Sequence, residues 1–298
     1  MRKAFLLGAG LGTRLRPLTQ VLPKPLIPVF HRPLISYALD HCRAAGILDF
    51  AINTHHLPEK WEDAFPGAGY QGDRLRFFHE PELLETGGGL KNIEGWIGND
   101  AILVYNGDIL TDIRIDKLIT AHMAGNNLVT LALRSEGPAP HVAVDGKRVV
   151  DIHRKLGVAD GTHQFTGIYC VDAALLGRIP AGEKISIIPA FLELAREGLL
   201  GGYVLDDGYW LDLGTREAYL EVHQRRDLGP AVHPDAAPAP DAAIRHSVVG
   251  PGCTVESGAE VVDSVLWPGT TVAAGARLDR CILYSPQPAT GSHTGADL

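Results

Sequence analysis

The sequence predicts an α/β fold, a doubly wound and mostly parallel sheet, followed by a short left-handed parallel β-helix. Short apolar runs closed by glycine or turn residues alternate with stretches of helical apolar spacing through residues 4–105. That is the pattern of strands buried on both faces and joined by crossover helices. The first run leads into a glycine-rich segment free of acidic residues, the composition of an anion site. Near the C-terminus aliphatic residues recur at every sixth position with glycines between them, the period of a β-helix.

At 298 residues the chain has room for one large domain or two unequal ones, and 45% hydrophobic with 21% charged residues is an ordinary globular composition. No apolar run approaches the ~18 residues of a membrane span. Gly8 to Gly12 interrupts the first run too early for a signal peptide, so a cytoplasmic protein with no membrane partner is expected. Cys42, Cys170, Cys253 and Cys281 contain no close pair, which argues for reduced thiols over zinc or a disulfide framework. A formal charge of −8 gives no footing for nucleic-acid binding.

Ala4 to Leu7 reads as the first buried strand. In Leu7-Gly8-Ala9-Gly10-Leu11-Gly12-Thr13 the glycines let the backbone turn sharply and bring bare N–H groups against a ligand. Arg2, Lys3, Arg14, Arg16, Lys24 and Arg32 all precede Asp40, the first acidic residue. In an acidic chain that asymmetry marks an anion site, most simply for a phosphate chain. The spacing is neither a dinucleotide fingerprint running straight into a helix, which Pro17 prevents, nor a Walker loop, which would end in a lysine–serine/threonine pair.

Leu34 to Cys42 has helical spacing, Phe50–Asn53 reads as a second strand, Glu59 to Phe65 as a short helix and Leu75–Phe78 as a third strand. Between that strand and a helix from about Gly88 to Trp96 lies Glu80 to Gly89. Its three glycines could let a flat ligand rest on the backbone, and Glu80 and Glu85 could accept a base N–H; a solvated loop is the plainer alternative. Ala101 to Tyr105 reads as a fourth, almost wholly apolar strand that ends in Asn106-Gly107-Asp108. A carboxylate there, beside a phosphate loop, is suited to a magnesium ion bridging phosphate oxygens. From Asn127 to about Asp172 the pattern turns β-rich, and Tyr209 to Thr215 places Asp212 among Trp210, Leu211 and Leu213. On a strand that aspartate would face inward, a costly position unless paired or metal-bound.

These motifs together resemble the sugar-1-phosphate nucleotidyltransferases, the nucleotide-sugar pyrophosphorylases. Gly8 to Thr19 with Pro23-Lys24-Pro25 resembles that family's G-x-G-T-R-L-x-P-L-T and P-K-P signature, and Tyr209–Thr215 its W-x-D-x-G-T. The resemblance implies a Rossmann-like sheet of the nucleotidyltransferase A type and catalytic roles for Arg14 and Lys24. It implies nucleotide contacts from Leu7, Gly8, Ala9, Gly10, Gly12, Thr13, Glu85, Gly87, Gly88 and Asn106, sugar-phosphate contacts from Thr166 and Gly167, and Mg2+ on Asp108 and Asp212. Glu85-Thr86-Gly87-Gly88-Gly89 is similar to the version in bacterial muramate-1-phosphate uridylyltransferases, which leans towards UTP. A hexapeptide tail leans instead towards the GTP-using mannose-1-phosphate guanylyltransferases. Asp151-Ile152-His153-Arg154-Lys155-Leu156 departs from the family's Glu-Lys-Pro sugar-phosphate motif, leaving Arg154, Lys155 or a solvated hairpin charge as open readings.

Residues 1–227 are thus expected to be the catalytic domain and the Pro/Ala-rich residues 228–243 a linker. Residues 244–284 should form the β-helix, where Val249, Val255 and Val261, then Leu266, Val272 and Leu278, keep a six-residue period across a slip near Asp263-Ser264. Residues 285–298 read as a disordered tail. Two coils bury little core, so oligomerisation through the repeat is a possible outcome. The expected substrates are a nucleoside triphosphate and a sugar 1-phosphate. The rival readings are a non-catalytic, nucleotide-sugar-sensing subunit, which could have lost Arg14, Lys24, Asp108 and Asp212, and an acyltransferase using His246 and His293, which would want more coils.

Overall fold

The computed structural model describes residues 1–298, apart from the Arg226 side chain. It divides into two compact units, Met1–Leu11 with Ile35–Asp212, and Gly12–Leu34 with Leu213–Leu298. The chain therefore changes unit inside the basic glycine loop, which residue-by-residue reading of a single 1–227 domain did not anticipate.

The first unit is built on a ten-stranded sheet in the order Val142–Asp145, Arg148–Ile152, Leu200–Val204, Val129–Arg134, Gln164–Val171, Ile102–Asn106, Lys3–Leu7, Asp49–Thr54, Asp73–His79 and Gly69–Tyr70. Lys3–Leu7 pairs in parallel with Asp49–Thr54 and with Ile102–Asn106, the expected doubly wound arrangement. Gln164–Val171 runs antiparallel to both of its neighbours, so the sheet is mixed. Phe5, Ala51, Ile102 and Val104 share a dry core with Leu90, Ile93, Phe191 and Leu194, which explains why the central strands are almost wholly apolar. In register, Leu7 stands opposite both Asn53 and Asn106, so three polar-flanked strand ends meet at one edge. Ligands on parallel sheets bind beyond that edge.

In the second unit, Thr13–Leu15, Leu18–Gln20 and Lys24–Leu26 are single 3-10 turns, because prolines and glycine break any longer helix. A small hairpin of Pro28–Val29 with Arg32–Pro33 follows. Thr215 caps the helix Arg216–Val222, its hydroxyl accepting the Ala218 N–H at 3.2 Å. Beyond it, three parallel sheets stack coil upon coil.

The coils repeat after 17 residues, Ala243 pairing with Glu260 and Glu260 with Arg277, until the last, in which Arg277 pairs with Ser292. The slip near Asp263-Ser264 is thus one corner of every coil, where His246, Asp263 and Arg280 take φ of 48°, 45° and 52°. Behind that corner Ser247, Ser264 and Cys281 point inward. The Ser264 hydroxyl donates to Val262 O at 2.6 Å and accepts the Cys281 N–H at 2.9 Å, while Ser247 Oγ accepts the Ser264 N–H at 3.0 Å. A polar ladder of this kind satisfies backbone groups that the shortened corner leaves unpaired.

Two expectations change here. Residues 228–243 carry the first coil rather than a free linker, with Val232 bridging Val249 and Ala237–Pro238 pairing Thr254–Val255. Residues 285–298 close the last coil, with Ser292–Thr294 pairing Arg277–Asp279 and the Leu298 N–H donating to Ile282 O at 2.9 Å. In both stretches small residues (Ala236, Ala242, Ala289, Ala296) join Val232 and Leu298 on the β-helix core, so a segment sparse in large apolar side chains still completes a coil. All four cysteines are free and buried. Among the described residues no helix is long and apolar enough to cross a membrane.

Replacing Ser264 by alanine leaves the Cys281 N–H without its acceptor inside the β-helix. We expect a loss of about 1–3 kcal/mol, the cost of one orphaned buried group, read as a lowered denaturant midpoint at unchanged slope.

Candidate active site

In the first unit the strand-end loops are joined by one buried hydrogen-bond chain. Asn53, 3% exposed, accepts the Gly8 N–H on Oδ1 at 2.8 Å and donates from Nδ2 to Glu80 Oε1 at 2.7 Å. Glu80, fully buried, accepts the Leu84 N–H on its other oxygen at 3.0 Å. Glu80 is therefore neither a base acceptor nor a solvated loop residue; its carboxylate ties the glycine loop to the segment before the helix Glu85–Asn92. The Gly8 N–H is likewise committed to Asn53. A Cβ on Gly8 would stand 2.7 Å from Asn53 O and from the Trp61 ring, so glycine here is a packing requirement.

The three glycines of Glu85–Asn92 are also taken up by the protein. Cβ atoms on Gly87, Gly88 and Gly89 would fall within 3.0 Å of Ile185 O, Glu183 O and the Asn53–Glu80 pair respectively. The N–H groups of Gly87 and Gly88 both donate to Ile185 O, at 2.9 and 3.0 Å. The expected open ledge for a flat ligand is in fact a close helix-to-loop contact, and a run of glycines cannot distinguish the two by sequence. Glu85, by contrast, is exposed and holds φ 61° at the helix start. A non-glycine residue there carries backbone strain on the order of 1 kcal/mol or more.

Next to the glycine loop, the Gly107 N–H donates to Leu7 O at 3.0 Å, which fixes the turn carrying half-buried Asp108. Asp212 stands opposite Ile109 in the two-stranded ladder of Trp210–Asp212 with Ile109–Thr111, one step from Asp108. Asp212 is exposed and does not face inward as its apolar neighbours suggested. A two-stranded ladder lies outside the main sheet, and the Trp210 indole is drawn away to donate to Thr166 O at 2.8 Å. Two carboxylates are hard oxygen donors suited to magnesium. Among the described residues no group of three or more histidine, cysteine or acidic side chains gathers, so a magnesium ion held by this pair would have to take its further ligands from phosphate and water.

Thr166 and Gly167 are placed differently from expectation. The Thr166 hydroxyl is buried and donates to Ala132 O at 2.9 Å, and the space beside Gly167 is filled by the Asn106 amide, 2.6 Å from where a Cβ would lie. Gly167 thus seats Asn106, and through it the turn bearing Asp108. Arg154 lies in an exposed pair with Asp160 at 3.0 Å, and Lys155 is exposed beside it. Asp151, unnoticed in the sequence, is fully buried and accepts the Ile152, Leu156 and Val158 N–H groups.

In the second unit Gly12 holds φ 60°, a left-handed turn open to glycine, and the Thr19 hydroxyl donates to its carbonyl at 3.0 Å. A Cβ there would stand 2.7 Å from the Thr19 methyl and 3.0 Å from Lys24 Cβ. Glycine, threonine and lysine of the signature are thus one packed knot, and the Lys24 side chain is 7% exposed. Arg14 is exposed, with its guanidinium packed on Gly214, 2.6 Å from a Cβ position. The glycine after Asp212 is there for Arg14.

Residues 3–227 match the nucleotidyl transferase family, and residues 237–288 match the GlmU-like, C-terminal hexapeptide family. The chain belongs to the nucleotidyl transferase family. It is 32% identical over 281 residues to mannose-1-phosphate guanylyltransferase of Mycobacterium tuberculosis, covering 87% of this chain and 77% of that one. It is equally 32% identical over 216 residues to N-acetylmuramate alpha-1-phosphate uridylyltransferase of Neisseria meningitidis serogroup B, covering 72% and 93%. A UDP-glucose pyrophosphorylase structure from Acinetobacter baumannii superposes with a TM-score of 0.64 at 18% identity, over 74% of this chain and 92% of that one, and shows the same fold.

Within this nucleotidyl transferase two substitutions separate packing from chemistry. Glu80→Leu should cost about 1–3 kcal/mol for each of the two donors it orphans, read by thermal unfolding. Gly214→Ala should leave the melting temperature within a few degrees and lower turnover at least ~10-fold, because a guanidinium pushed aside loses its alignment. Full turnover in Gly214→Ala would show that Arg14 needs no seat there.

Proposed function

We propose that this nucleotidyl transferase moves a nucleotidyl group from a nucleoside triphosphate to a sugar 1-phosphate, releasing pyrophosphate. A non-bridging oxygen of the sugar phosphate attacks the α-phosphorus in line. The bond from that phosphorus to the bridging oxygen breaks, and pyrophosphate leaves with the electron pair. The nucleophile is already an anion, so no general base or covalent protein intermediate is needed, and catalysis is alignment with charge neutralisation.

The observation that carries this reading is the use of Gly10. A Cβ there would meet nothing in the protein and the residue is exposed, so neither packing nor a left-handed turn calls for glycine. A phosphate chain lying on the backbone would. Gly8 and Gly12 shape the loop, and Leu7, Ala9 and Thr13 continue it. Arg14 is suited to fork two oxygens of the departing pyrophosphate, and the packed Lys24 ammonium to meet the α-phosphate. Asp108 and Asp212 would hold Mg2+, whose charge, when bound, neutralises phosphate oxygens. Glu85, strained and exposed, is the remaining candidate to meet the base.

Of the possible bases UTP is favoured by Glu85-Thr86-Gly87-Gly88-Gly89 and by the likeness to the muramate enzyme, GTP by the likeness to the mannose enzyme, whose match, over 87% of this chain, reaches into the hexapeptide region. Retention of Arg14, Lys24, Asp108 and Asp212 speaks for an active enzyme over a sensing subunit.

A pyrophosphate-release panel of nucleoside triphosphates against sugar 1-phosphates should show one productive base; no release with any pair would overturn the assignment. Asp108→Asn and Asp212→Asn should each lower magnesium-dependent turnover roughly 10²-fold or more, the scale of losing one preorganised charge. Near-wild-type turnover in either would remove that residue from the metal site.

A further inference from the structure

The helix Arg216–Val222 has one side on the β-helix and the other on the segment that bears Arg14 and Lys24, all inside the second unit. At its start, Gly214 seats the Arg14 guanidinium and Arg216 reaches the last coil. Arg216 Nε donates to Asp297 Oδ1 at 2.7 Å, and its terminal nitrogen to Arg280 O at 2.7 Å and Ala296 O at 3.2 Å. In its body, the Tyr219 hydroxyl donates to Pro28 O at 2.6 Å and accepts the Trp267 indole N–H at 2.9 Å. Just past its end, His223 Nε2 accepts the Phe30 N–H at 3.1 Å while Nδ1 donates to Tyr219 O at 2.6 Å. Those two bonds require the neutral ring, and burial, foremost, pushes its pKa down to about 4.

Every member of this chain is buried: Tyr219 and His223 are 1% exposed, Phe30 3% and Trp267 4%. Phe30 also holds φ 53° directly after the Pro28–Val29 strand, a left-handed backbone that its bonds to the helix must sustain. A short β-helix needs none of this to stack its coils. The bonds run outward from it, through Tyr219, to a carbonyl four positions after Lys24.

We propose that Trp267, Tyr219 and His223 are positioning residues for Lys24 and Arg14, so that the hexapeptide coils serve the transfer reaction by holding the cationic segment in place. The proposal rests on the reading of the protein as a sugar-1-phosphate nucleotidyltransferase. The buried chain fixes Pro28–Phe30 at one end of the segment while Gly214 seats the guanidinium at the other. Loss of the Tyr219 hydroxyl strips Pro28 O and the Trp267 N–H of their partners at once; loss of the Trp267 N–H alone spares the Pro28 bond.

The test compares Tyr219→Phe, Trp267→Phe and Ser264→Ala in the full chain. The last is a control that weakens the β-helix without removing any of the Tyr219, Trp267 or His223 bonds. Amide hydrogen exchange across residues 13–30 should rise at least 10-fold in Tyr219→Phe, less in Trp267→Phe, and stay unchanged in Ser264→Ala. In the reverse reaction, with the nucleotide sugar that the substrate panel selects, KM for pyrophosphate should rise at least fivefold in Tyr219→Phe. KM for the nucleotide sugar should stay within twofold, and Ser264→Ala should move neither. Simple instability lowers the active fraction and shifts no KM. Unchanged exchange in Tyr219→Phe, or raised exchange with an unchanged pyrophosphate KM, overturns the proposal. Should Tyr219→Phe fail to fold, the same two readings on Trp267→Phe decide it. Exchange is read without substrate, so failure of the transfer assay alone points to the functional reading and leaves the clamp to be judged by exchange.

Discussion

Much of the first unit's site depends on a carboxamide that is almost wholly buried. Asn53 accepts from Gly8 and donates to Glu80, and Glu80 in turn accepts from Leu84, so two loops far apart in the chain share one hydrogen-bond chain. In a low-dielectric interior such a chain is strong while complete and expensive once broken. It holds the turn after the first strand at a fixed height above the sheet edge. On the other side of that strand, the Gly107 N–H on Leu7 O sets the turn of Asp108 against the same residue. Leu7 is therefore the shared reference, with Asn53 and Asn106 in register on its two flanks.

The second unit uses the same physics at a different place. Its cationic segment has almost no regular structure of its own, only single 3-10 turns and a two-residue hairpin. What it lacks in internal bonding it gains from side chains that reach it: Thr19 onto Gly12, Tyr219 onto Pro28 and His223 onto Phe30. Such supports limit the freedom of a loop whose arginine and lysine side chains are themselves flexible. The hexapeptide coils are thereby part of the unit that contains the loop.

Several glycines show how one residue type serves different ends. Gly8, Gly87, Gly88 and Gly89 admit neighbouring protein atoms, Gly167 admits Asn106, Gly214 admits Arg14, and Gly12 supplies a left-handed turn. Gly10, alone among those of the opening loop, has neither reason inside the protein. The sequence marks all of them equally.

The sequence by itself determined the alternating α/β architecture, the β-helical period, the basic opening segment and the two aspartates at strand ends, because periodicity, charge asymmetry and motif spacing are properties of neighbouring residues. It could not reveal that Glu80 is buried, that Asp212 is exposed, or that residues 228–243 and 285–298 complete coils, because burial depends on what packs from far along the chain. For the same reason only the tertiary structure decided that Gly12–Leu34 belongs with the C-terminal coils. That membership rests on the Tyr219 and His223 bonds, which join residues 191 and 193 positions apart.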